Sequence, residues 1–109
     1  LIPLEDINYA AQMLLSETEL DFQHEQIIQS MYQVSQSLTD LVVSIPDFTW
    51  DKAREVFSFE TRSHLASIIG YAEDLLDDDN ALTDSQHDLI KQIRYAGSTL
   101  LARVAQLEK

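Results

Sequence analysis

The chain has 109 residues, 45% of them apolar, with a formal net charge of −12, two glycines, two prolines and no cysteine. That length serves one small core or a part of a larger protein, and so few turn-forming residues point to helices over a many-stranded β domain. Without cysteine there are no disulfides, thiolate metal sites or cysteine nucleophiles, and a charge that repels phosphate backbones and anionic lipid argues against nucleic acid or a membrane surface and for a protein partner.

In residues 4–15 (LEDINYAAQMLL), Ile7, Ala10, Ala11, Leu14 and Leu15 share one helical face. Ser16 with Glu19 reads as a capping box, so a second helix is expected to start near Ser16. From there to Ile45 the apolar stripe runs through Leu20, Ile27, Met31, Val34, Leu38 and Leu41, with glutamines between. Pro46 lacks an N–H and ends this element, leaving PDFT as a linker.

Thr49 is placed to cap the next helix, with Asp51 in its first turn. Trp50, Ala53, Phe57, Leu65, Ile68, Ala72 and Leu75 then continue at helical spacing, which predicts one helix from 50 to 76 up to the acidic turn DDDN. Thr83 and Gln86 form a further capping box before a last helix carrying Leu82, Leu89, Ile93, Gly97, Leu100, Val104 and Leu107. Two long helices joined so briefly must lie antiparallel.

The expected fold is therefore all-α: a long antiparallel helical hairpin over 49–109, preceded by an N-terminal helical segment over 1–48. These halves also differ in charge, since no Lys or Arg precedes Lys52 whereas nine acidic residues do. A lone hairpin leaves an apolar stripe uncovered. Pairing of two copies into a dimeric four-helix bundle is the favoured solution, with Phe57, Leu65, Ile68, Ala72, Leu75, Leu89, Ile93, Leu100 and Val104 as its core. The alternative is a monomeric bundle in which the N-terminal helices cover the stripe.

The stretch FETRSHLASIIGYAEDLL resembles the dimerisation and phosphotransfer hairpin of sensor histidine kinases, whose first helix reads roughly H-E-L-R-T-P-L-x-x-I-x-G-Y-x-E-x-L. Phe59, Glu60, Thr61, Arg62, Ser63, His64 and Leu65 fill the first seven places, and Ile68, Gly70, Tyr71, Glu73 and Leu75 match the remainder. Leu89, Ile93, Gly97, Leu100 and Leu101 are similar to the rhythm of the second helix. The likeness covers roughly 55–109, and residues 1–48 carry no assignable motif.

The resemblance implies a dimeric signalling hairpin whose first-position histidine attacks the γ-phosphate of ATP beside an acid that polarises it. Here Phe59 replaces that nucleophile while Glu60 and Arg62 remain, so the site reads as degenerate and non-catalytic. His64 stands where the family has proline, so the kink proline would impose is expected to be missing. Phe59 is expected to face outward and, with His64, is a candidate protein contact. His24, His64 and His87 are the substitute phosphoacceptors; His64 precedes Leu65 and not an acid, while His24-Glu25 and His87-Asp88 lack the rest of the motif.

The histidines lack the i, i+4 pairing of helical zinc sites, and Asp77, Asp78 and Asp79 lack the rest of a calcium loop, so no metal is expected. No cofactor is expected either, because nothing resembles the family's nucleotide-binding boxes and Gly70 and Gly97 cannot make a phosphate cradle. The functional expectation is a non-catalytic dimerisation and signal-transmission module, homodimeric, with a receiver or output domain of the same pathway as partner. A histidine phosphotransfer protein and a monomeric helical adaptor are the alternatives.

LIPLEDINYA has no basic stretch before an apolar core, and no apolar run reaches the roughly eighteen residues a membrane span needs, so the segment is expected to be cytoplasmic without binding membrane directly. Its abrupt ends at Leu1 and Lys109 are those expected of a piece of a larger or membrane-attached protein.

Overall fold

Leu4, Ile7, Ala10, Ala11 and Leu14 all lose nearly every part of their surface to solvent exclusion, which is why the first amphipathic segment becomes a helix integral to the core. The computed structural model describes residues 2–17, 22–57, 59–77 and 82–106, and these form five helices and no strand. Expectations for Glu19, Leu20, Asp78, Asp79 and Leu107 fall outside the described residues.

Helix α1 (Ile2–Glu17) runs through Ser16, which therefore sits in its last turn and does not begin the next element. Helix α2 (Phe22–Val43) follows. Its buried face is His24, Ile28, Met31, Ser35 and Leu38, so the face is turned by roughly 60° from the predicted stripe, keeping Met31 and Leu38 but leaving Ile27, Val34 and Leu41 only half-buried.

The cause of that rotation is polar. The Asn8 side-chain amide of α1 donates to Thr39 Oγ1 at 2.7 Å, and its carbonyl oxygen accepts from Ser35 Oγ at 2.6 Å and from Gln36 Nε2 at 3.2 Å. Bringing Ser35 inward satisfies Asn8 between the helices, where an unpaired amide would be penalised. Replacing Asn8 with alanine should lower stability by about 1 kcal/mol. The loss stays small because the single Ser35 hydroxyl proton can turn wholly to the Tyr32 carbonyl and Thr39 keeps its bond to the Ser35 carbonyl; urea unfolding followed by circular dichroism measures it, and an unchanged midpoint would show that the contact contributes nothing.

A tight turn over 44–47 ends α2, with the Ile45 N–H donating to the Val42 carbonyl at 3.0 Å. Asp47 has φ 49°, in the left-handed region. Helix α3 (Trp50–Val56) is capped as expected by Thr49, whose hydroxyl oxygen accepts from the Lys52 N–H at 3.2 Å.

The predicted single helix from 50 to 76 is in fact two. Phe57 adopts an extended conformation (φ −78°, ψ 122°) while its N–H still donates to the Ala53 carbonyl. Val56-Phe57-Ser58-Phe59 is a run of mediocre helix formers, and the break lets Phe57 meet Trp50 edge to face at 6.4 Å, beside a second such pair between Trp50 and Phe48 at 5.3 Å. Helix α4 (Phe59–Asp77) then passes through His64 without interruption.

Helix α5 (Asp84–Gln106) opens on the predicted capping box. The Thr83 N–H donates to Gln86 Oε1 at 2.8 Å and the Gln86 N–H donates to Thr83 Oγ1 at 3.1 Å.

Packing follows a closed circuit: α4 on α5, α5 on α1, α1 on α2 and α2 on α4. Pro3 near the start of α1 shares a cavity with Arg103 near the end of α5, and Gln23 at the start of α2 shares one with Asp74 near the end of α4. Neighbours in the circuit are therefore antiparallel. The apolar stripe of the α4–α5 hairpin is covered by α1 and α2 of the same chain, and residues from both halves make one core. Among the described residues, no helix is long and apolar enough to cross a membrane.

Candidate functional site

Helix α4 carries the stretch FETRSHLASIIGYAEDLL, and α5 packs antiparallel against it. Leu65, Ile68, Ala72 and Leu75 point into the core together with Ile93, Leu100 and Val104. Phe57 is buried at its edge and Leu89 is half-buried. All the side chains expected in a dimer core thus lie within or against the core of one chain. Gly97 allows α4 to pack close against α5, since a Cβ there would come 3.2 Å from Ile69 Cγ1.

Phe59 and Glu60 open α4, but the expectations for their side chains fall outside the described residues. Arg62 is half-buried and lies with Ser63 and Ala66 of α4 and Leu101 and Ala105 of α5 along an open groove between the two helices. Ser63 and Ala66 are exposed, so this groove faces solvent, on the side of the hairpin away from its buried stripe. An arginine at the edge of a shallow apolar trough sets a charged group beside an apolar surface, a combination common at protein contacts.

The three histidines do not converge. His24, 6% exposed, lies at the start of α2 in a cavity of about 460 Å³ with Phe22, Gln23, Gln26, Ile27, Asp74 and Leu75. His87 is half-buried in the first turn of α5, at the same end of the molecule, whereas His64 is exposed near the other end of α4. Ten residues separate His64 from Asp74, about 15 Å along the helix. In-line phosphoryl transfer needs an imidazole that a partner's active site can reach. Burial handicaps His24 in that respect, and exposure favours His64.

No three or more His, Asp or Glu side chains gather to hold a metal ion among the described residues. Acidic side chains nevertheless mark one end: Glu73, Asp74 and Asp77 finish α4 while Asp84 and Asp88 begin α5, all exposed. At the opposite end Arg103 lies over the Trp50 ring at 5.0 Å, joining α3 to α5 through a cation–π contact. Sequence reasoning missed this contact and the Asn8 cluster; a lone asparagine inside an apolar helical pattern was the available signal for the latter.

Comparison with known proteins finds no matching family model, no matching curated protein and no matching solved structure.

Proposed function

We propose that the chain is a non-catalytic dimerisation and signal-transmission module built on a degenerate histidine-kinase-like hairpin. The observation that carries this reading is the division of labour along α4 and α5: the apolar motif positions Leu65, Ile68, Ala72 and Leu75 are core, while Arg62, Ser63 and Ala66 line an open groove with Leu101 and Ala105. Such a surface suits a receiver or output domain, which would read the hairpin through contact and not through phosphoryl chemistry. Phe59 in the nucleophile position agrees with that role. The dimer proposed is a homodimer in which the stripe centred on Ile68 and Ile93, covered within one chain by α1 and α2, is covered across the two copies.

A monomeric adaptor is the second reading, favoured by the cover that α1 and α2 already give the stripe. Analytical ultracentrifugation over a wide concentration range separates the two: reversible dimerisation supports the first, and a monomer throughout supports the second. Incubation with phosphorylated receiver domains should leave His24, His64 and His87 unmodified. Acid-labile phosphate on any of them would overturn the non-catalytic reading in favour of phosphotransfer.

A further inference from the structure

We infer that residues 44–49 are a hinge through which two copies exchange their α1–α2 pairs, so that each pair covers the α4–α5 stripe of the other copy. The inference rests on the self-association proposed above and supplies its route.

Four features of the chain converge on this. Asn8 fastens α1 to α2 through Ser35, Gln36 and Thr39, so the N-terminal pair can move as one body. Its faces toward the hairpin are apolar, with Ile7, Ala10 and Leu14 on α1 and Ile28 and Met31 on α2. An exchanged dimer rebuilds those contacts unchanged, which makes exchange a low-cost route to association.

The third feature is the connection itself. Residues 44–49 are the sole covalent link between α2 and α3, and the turn closes through Asp47 at φ 49°, a conformation that costs any residue but glycine something, aspartate less than most. The Lys52 ammonium holds it shut by donating to the Pro46 carbonyl at 2.9 Å and the Asp47 carbonyl at 3.2 Å. Opening releases the positive φ at the expense of those two contacts, the Ile45 N–H bond to the Val42 carbonyl and the packing of Phe48 on Trp50.

Reach is the fourth. Six residues fully extended span about 20 Å, comparable to the 24 and 18 Å widths of the molecule. An opened hinge is long enough to carry the N-terminal pair across to a neighbouring copy.

Two variants of the full chain push the hinge in opposite directions. Asp47→Gly relieves the closed turn and should weaken dimerisation, whereas Asp47→Pro cannot adopt a positive φ and should strengthen it. With two turns opening per dimer, each should move the dissociation constant by about tenfold or more, read by analytical ultracentrifugation with helix content checked by circular dichroism. The chain has no cysteine, so a Gln23→Cys/Asp74→Cys pair, whose positions line one cavity, can be bridged selectively by a short bis-maleimide.

In the separated dimer the bridges should join two chains, and in the monomer they should stay within one. Dimers bridged only within chains, or a dissociation constant indifferent to both Asp47 variants, would overturn the exchange and leave self-association standing. A monomer at every concentration in the parent and both variants would remove both. If Asp47→Pro does not fold, the glycine variant and the cross-linked parent chain still decide.

Discussion

Replacing Ile7 with alanine should destabilise the chain by about 2–5 kcal/mol, the usual range for truncating a fully buried aliphatic side chain. Ile7 is 0% exposed, on a helix that packs against both α2 and α5. Its removal leaves a void bordered by elements from both halves, and Ala10 and Ala11 beside it are too short to collapse into the space. Against a total stability of about 5–15 kcal/mol for a domain of this size, such a loss brings the protein close to unfolding at moderate temperature. Chemical denaturation followed at 222 nm measures it. A midpoint within error of the parent would mean that α1 is a peripheral attachment and that the hairpin's stripe is covered by something else.

Gly97→Leu should cost about 1–3 kcal/mol through overpacking, because even a Cβ at this position would press on Ile69 Cγ1 and the rest of the side chain has to enter the α4–α5 contact. Gly70 supplies the control. It is exposed and a Cβ there meets nothing within 4 Å, so Gly70→Ala should stabilise α4 by about 0.5–1 kcal/mol through the reduced entropy of the unfolded chain. The two glycines of the α4–α5 hairpin are thus expected to respond with opposite signs. Urea midpoints of the two variants against the parent test the pair, and destabilisation by Gly70→Ala would indicate that a partner or a second copy approaches α4 there.

Those opposite signs also show what apolar patterning conveys. Leu65, Ile68, Ala72 and Leu75 can be placed on one face from spacing alone, because their period matches the helix. Arg62 and His64 can be singled out by their register with the motif, but their surroundings cannot. Arg62 gains its groove from Leu101 and Ala105, about forty residues further along the chain, and His64 is distinguished from His24 only by how α2 packs against α4. Candidate sites made by residues on one helix are legible locally, and those made between helices are not.

The boundary lies between local and long-range forces. Helix type, the Thr49 cap, the Thr83–Gln86 box and the antiparallel hairpin follow from the amino-acid sequence, since backbone hydrogen bonding, capping and a short connection act within a few residues. Three things were decided only by tertiary structure. Helix α2 rolled to bury Ser35 in place of Val34 because Asn8, on another helix, required partners. The chain broke at Phe57, where weak propensity yields to an aromatic cluster assembled with Trp50 and Phe48. And α1 and α2 covered the hairpin's stripe, a choice that apolar periodicity leaves open because burial rewards any complementary face, whether it comes from the same chain or from another copy.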